Sequence, residues 1–259
     1  MIYNMKTIPR RVRSLALQRN VVGFITFPSF TFHSRQPFLV QHLPWDLQSL
    51  AQKIGQPDLP WLARQFLFGA LNLDAPIPPL NDLPEIAEPI YVHNSACVVF
   101  YAPSDFSGLR GMHHEWIRSA ASWHNGQPQC DCVYVGNSDS PDAPGFKSLL
   151  VAWVHLFFSF KHDNVSYPCA LVHWFSTVGD APDDETTMWI VEPDYLAGRK
   201  PFLEVIHLDS ILQSAHLIGV AGHNFLPSHP KIDFLMALDS FKLFYVNKFA
   251  DHHAHETTF

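Results

Sequence analysis

Four groupings of side chains in this sequence have residue types suited to chemistry. Cys130 and Cys132 are one residue apart. On a strand both thiols point to one side, so chelation is possible. Zinc sites usually space their thiolates by two to four residues, and no second Cys pair follows, so ordinary strand cysteines are the plainer reading. His113, His114 and Glu115 are adjacent. On a strand neighbours face opposite sides, and on a helix they lie about 100° apart, so they do not readily share one ion. The tail Asp251 to Glu256, if helical, puts His252, His255 and Glu256 on one face at i, i+3 and i+4, a geometry that suits a metal. It also lies at a chain end, where helices fray. The fourth grouping is acidic: Asp180, Asp183, Asp184 and Glu185, with Glu192 and Asp194 downstream. Two-metal nucleases need carboxylates converging on ions roughly 3.5–4 Å apart. A loop containing Gly and Pro is an ordinary place for solvated acids instead.

These sets define one candidate function, a metal-dependent hydrolase or nuclease working through the acidic loop or the His-rich tail. The sequence has no Gly-rich phosphate loop, no Gly-x-Ser-x-Gly and no His-Glu-x-x-His, and it points to no cofactor. The other candidate is recognition through aromatic rings. Trp116, Trp123, Trp153, Trp174 and Trp189 fall in a β-rich region. Most such rings are core. The alternative is that two or three line a groove that stacks bases or cages a methylated lysine. A basic cluster, Lys6, Arg10, Arg11, Arg13 and Arg19, marks the N-terminus. It reads as an exposed charged arm, or as a nucleic-acid contact or import signal.

The chain must supply elements to position these groups. It has 259 residues, 47% apolar, with 21 Phe and only 16% charged residues, against an average near ~25% charged. That is enough apolar surface for a sizeable core in one or two domains. A net charge of −7 gives no global basic field, and tight duplex binding leans on Lys and Arg. Four cysteines are no secreted disulfide framework. Arg11, Arg13 and Arg19 interrupt any signal-peptide core, and no run of ~20 apolar residues predicts a membrane span. The expectation is an intracellular, reducing compartment, the cytosol or the nucleus.

Residues 1–43 yield no clear reading. Pro44 opens a predicted helix, Trp45 to Lys53, closed by Gly55. Asp58 is placed to cap a second, with Pro60 in its first turn and Leu59, Leu62, Phe66 and Ala70 on one face. Prolines at 76, 78, 79, 84 and 89 predict an extended linker and a domain boundary. Strands are then predicted at Ile90 to Tyr101, Asp131 to Val135, Leu149 to Lys161, Val165 to Val178, Met188 to Val191 and Phe202 to Leu208. Lys161 to Asn164 is the best hairpin signal. In Tyr167 to Val178, Cys169, Leu171, His173 and Phe175 alternate with Ala170, Val172 and Trp174. Both sets are largely apolar, which predicts a central strand covered on both sides. Leu238, Phe241, Tyr245 and Phe249 form a helical stripe, predicting a C-terminal helix from Asp239 to Glu256.

The stretch Phe100 to Gly108, with Tyr101, Pro103 and Asp105, resembles the start of the C-terminal region of Plavaka-type fungal transposases. Further short matches follow in order: Gly111-Met112, Ile117-Arg118, Ser122-Trp123, Leu156 to Phe160, Tyr167 to Leu171 and Trp174-Phe175. Met188-Trp189, Val205 to Asp209, Ala215 to Ile218, Phe244 to Lys248 and Asp251 to His253 complete the set. Pro9 to Val12 and Phe66-Leu67 resemble the helical lead-in of the same proteins. The resemblance covers roughly residues 45–259. It implies a C-terminal accessory region, alone or as a transposon remnant, without the upstream RNase-H-like domain that carries the family's acidic catalytic residues. No catalytic residue of the family therefore maps here.

The expected architecture is mainly β (α+β). Residues 1–89 form a helical or irregular lead-in and proline-rich linker. Residues 90–259 form an antiparallel β-barrel-like domain with a C-terminal helix. The expected function is a non-catalytic, nuclear binding module. It contacts chromatin, nucleic acid through Arg10, Arg11 and Arg13, or a protein partner, and no membrane.

Overall fold

Asp163 and Asn164 separate two long apolar runs, and both adopt the left-handed backbone, with φ of 49° and 62°. Two such residues in succession make the two-residue turn whose twist matches that of paired strands. The computed structural model describes residues 24–26, 44–72, 75–101, 112–122, 128–221, 237–250 and 254–255. The turn joins the two longest strands among them, β7 (Leu149–His162) and β8 (Val165–Val178). Asn164→Val should cost about 1–2 kcal/mol, because a β-branched side chain opposes this backbone, while Asn164→Gly should be neutral or stabilising. Urea denaturation of the two variants checks this.

The remaining strands are β1 (Phe24–Thr26), β2 (Tyr91–His93), β3 (Ser95–Tyr101), β4 (Met112–Ala120), β5 (Gln129–Cys130) and β6 (Cys132–Gly136). After the long hairpin come β9 (Ile190–Pro193), β10 (Tyr195–Leu196), β11 (Lys200–Pro201), β12 (Leu203–His207), β13 (Ile211–Ala215), β14 (Leu217–Gly219) and β15 (Phe244–Val246). The molecule is mainly β. Its larger sheet runs β13-β6-β7-β8-β9-β15-β14, with β12 on β8 and β2 on β7. Every pairing is antiparallel. The two ends of that path, β13 and β14, are separated in sequence by His216 alone. The sheet must therefore curl until its ends meet, which makes it a nearly closed barrel. Asn247 fastens the seam: its N–H donates to His216 O at 2.9 Å, and its amide lies 3.1 Å from His216 Nδ1.

The alternation read in β8 is present. Ala170, Val172 and Trp174 enter one core with Val133, Val135, Ala152 and Val154. That core is closed by the smaller sheet, β1-β3-β4-β5, through Ala96, Val98 and Ile117. Cys169 and Leu171 lie on the opposite face, in a second core with Phe158 and Phe160. Phe175 lies further along that face, in a third core with Tyr134, Val151 and Trp189. The two cores on one face need a change of side-chain parity along β7. A bulge supplies it: Val154 pairs with Val172 and Leu156 with Leu171, leaving His155 as the extra residue.

Helix α1 (Leu47–Lys53) starts at Asp46, whose carboxylate accepts from Ser49 N–H at 2.8 Å. Helix α2 is Leu59–Leu71. Leu50, Ala51, Leu59, Leu62, Ala63 and Leu67 seal the second core, which the β7–β8 hairpin shares. Asp58 precedes α2 without capping it by a side-chain bond, because its carboxylate pairs with Lys200 instead. Arg64 binds the carbonyls of Leu83 and Pro84, so the proline-rich stretch is held against α2.

The C-terminal helix is corrected. Helix α3 is only Ala237–Ser240, and Phe244–Val246 is a strand paired on both sides. Leu238 and Phe241 do pack on the third core, but Phe249 is exposed. A 3.6-residue stripe and a turn followed by a strand both put Leu238 and Phe241 inside, but the stripe turns Tyr245 inward where the strand buries Phe244. Strand partners distant in sequence decided between them.

Candidate functional site

Strand β4 reads Met-His-His-Glu-Trp-Ile-Arg-Ser-Ala, too polar to announce itself as a strand. Its register is fixed by β3, with Ile117 opposite Ala96 and Glu115 opposite Val98. Ser119 N–H donates to Asn94 O at 2.9 Å, so the odd residues hydrogen-bond to β3. The even residues aim their backbone groups the other way. At Arg118 those groups are taken: its N–H donates to Asp131 Oδ2 at 2.8 Å, and its carbonyl accepts Asp131 N–H at 2.9 Å. At Trp116 and His114 they meet no strand among the described residues.

This open edge borders a cleft of about 670 Å³. His113, His114, Glu115, Trp116 and Arg118 form one wall. Cys130, Asp131 and Cys132 form another, and Ser214 to Leu217, Gly219, Leu238 and Phe244 line the rest. Two groupings that stand apart in the sequence are thus brought together. Trp116 is 46% exposed.

The reactive groups of the cleft are already engaged. Glu115 accepts from both Ser214 N–H, at 2.9 Å, and Ser214 Oγ–H, tying the smaller sheet to β13. Asp131 also accepts from Gln129 Nε2 at 3.2 Å. Burial pushes the thiols of Cys130 and Cys132 up from the ordinary range, and the charge of Asp131 adds to the effect. They are held as thiols, whereas metals and nucleophilic chemistry need thiolates. Neither ion pair nor disulfide joins the described carboxylates or thiols of the cleft.

The tryptophans separate by environment. Trp174 is fully enclosed, and its Nε1 donates to Glu204 Oε2 at 2.7 Å. Trp189 is buried and stacks on Phe146. Trp153 is half-buried, donating to Cys130 O at 3.2 Å. Of the four described, only Trp116 is exposed. Trp123, Arg10, Arg11 and Arg13 lie outside the described residues.

Asp183 of the acidic loop accepts from the N–H and hydroxyl of Thr186, at 2.9 and 2.8 Å. These bonds hold its carboxyl below the usual range, the signature of a turn-forming Asp. His255 is exposed, its ring 6.2 Å from Phe249. His252 and Glu256 lie outside the described residues. Among the described residues, no three His, Cys, Asp or Glu side chains are placed to hold a metal ion.

One feature gave no signal in the sequence. His155, the bulge residue, lies 4.5 Å ring to ring from Trp153 and 6.1 Å from His173. His173 Nε2 donates to Asp194 O at 2.7 Å, but buried His155 Nε2 has no hydrogen-bond partner among the described residues. Burial, with the neighbouring His173, pushes the His155 pKa down to about 4. No protein-family profile, curated protein or solved structure matches this chain.

Proposed function

We propose that this chain is a non-catalytic accessory module of a transposon-derived protein, acting in the nucleus, and that it holds a protein partner in the cleft beside β4. One observation carries the reading. Trp116 is exposed over a cleft whose two carboxylates are fixed in place by internal hydrogen bonds and whose thiols burial keeps protonated. Exposed aromatic rings set in a concave surface are common anchors of recognition. The charge distribution supports a protein over duplex DNA for this surface. Residues 44–259 hold eleven Lys and Arg against all 24 Asp and Glu, which repels phosphate. The resemblance to the C-terminal region of Plavaka-type transposases names the first partner to try, the RNase-H-like catalytic region of such a protein.

The test is calorimetric titration of the full chain with that region. Trp116→Ala is expected to weaken binding at least about tenfold, with a much smaller loss of thermal stability than a core tryptophan because close to half of the residue is exposed. Equal binding by wild type and variant would remove the cleft from the interface. Salt-dependent retention of duplex DNA that survives Trp116→Ala would instead place nucleic acid on the basic stretch with Arg10, Arg11 and Arg13.

A further inference from the structure

The geometry points to an extended, lysine- or arginine-bearing peptide segment as the occupant of this cleft, added as a strand along the open edge of β4. The inference rests on the binding-module reading and specifies its partner. Arg118 shows what this edge accepts, since Asp131 meets its N–H and its carbonyl as a neighbouring strand would. The next two rungs, Trp116 and His114, present the same groups to the cleft with no strand on that side among the described residues. An extended segment would supply four backbone hydrogen bonds there, and main-chain bonding of this kind gives affinity to strand addition. Such an edge is otherwise a site of unwanted pairing, which proteins usually cover or charge.

Glu115 and Asp131 line the cleft, and every hydrogen bond made to them comes from an uncharged donor: Ser214, Gln129 and the Arg118 backbone. Among the described residues no cation pairs with either. Leu217 and Leu238, partly buried in the lining, give an apolar surface on which the alkyl stem of a Lys or Arg can lie. Arg118 in the same wall favours a segment that carries its cation on the Glu115 side.

Three labelled eight-residue peptides test this on the full chain by fluorescence anisotropy: one alternating Lys or Arg with Val or Thr, an acidic counterpart, and the basic peptide N-methylated at alternate residues. The basic peptide should bind and lose affinity as salt rises. The acidic and N-methylated peptides should bind at least about tenfold more weakly. In the complex, the amides of His114 and Trp116 should become protected from hydrogen exchange. Equal binding of the N-methylated peptide, equal binding of the acidic one, or no binding of the basic one overturns the inference. So does protection of the same two amides by self-association without peptide, which would make a second copy the occupant. If the peptides fail while the transposase catalytic region still binds through Trp116, the binding-module reading stands and this inference alone falls.

Discussion

Trp174→Ala is expected to cost about 3–5 kcal/mol, the range for emptying a fully enclosed indole site. That is a large share of a domain stability of roughly 5–15 kcal/mol. Trp174 has no exposed surface. It lies in the core between the two sheets with Val133, Ala152, Val172 and Ile206, so truncation leaves a cavity that strands on both sides must collapse to fill. The indole N–H also donates to Glu204 Oε2. Trp174→Phe keeps most of the apolar volume and removes only that donor, so it should cost less, about 1–3 kcal/mol. Urea denaturation reads both. The midpoint should fall with the slope unchanged if the variants lose stability without changing the unfolded chain. A loss under about 1 kcal/mol for the alanine variant would mean that this site is not tightly packed.

The second large effect is acid sensitivity centred on His155. In the folded chain its imidazole takes up a proton only near a pKa of about 4, because burial and then His173 disfavour the charge. In the unfolded chain it does so near 6.5. The unfolded state therefore binds more protons between those values, and stability rises with pH across that interval. The effect is absent above about pH 6.5, grows as pH falls, and reaches about 3 kcal/mol by pH 4. His173 acts in the same direction through burial. Its bond to Asp194 O and the charges of Asp194 and Asp239 oppose that shift, so its part is smaller. Asp46 and Asp183, held below the ordinary carboxylate range by Ser49 and Thr186, lose their bonds beneath this window and do not obscure it. Urea denaturation at about pH 7 and about pH 4.5 should show the drop. His155→Leu should flatten it, since no proton is then taken up at the bulge. An equal drop in that variant would assign the acid sensitivity elsewhere.

Much of the strand layout was legible locally. The long β7–β8 hairpin, its turn at Asp163-Asn164 and the two-faced alternation of Cys169 to Phe175 follow from apolar runs and turn residues alone. Both lead-in helices were visible from Pro44, Gly55 and Pro60. Strand β4 was not, because the odd face that puts Ile117 in the core also carries His113, Glu115 and Ser119, so no apolar alternation marks it. Strands β13, β14 and β15 are short, and a few residues carry no period.

The candidate site was legible only as fragments. Cys130, Cys132, His113, His114 and Glu115 stood out by type. Their convergence depends on Ser214, which meets Glu115 across 99 positions of sequence. Trp116 and Trp174 are the same residue type, each on a strand, yet one is half open and the other sealed. Only the stacking of the smaller sheet on the larger makes that distinction.

The sequence by itself determined that the chain builds a mainly β body around aromatic rings, since burying that apolar surface in alternating strands is a local property of composition and period. Tertiary structure decided which ring is exposed, where β7 changes parity at His155, and which strand edge stays open. Those features depend on partners far apart in sequence and on the curl that brings β13 and β14 together.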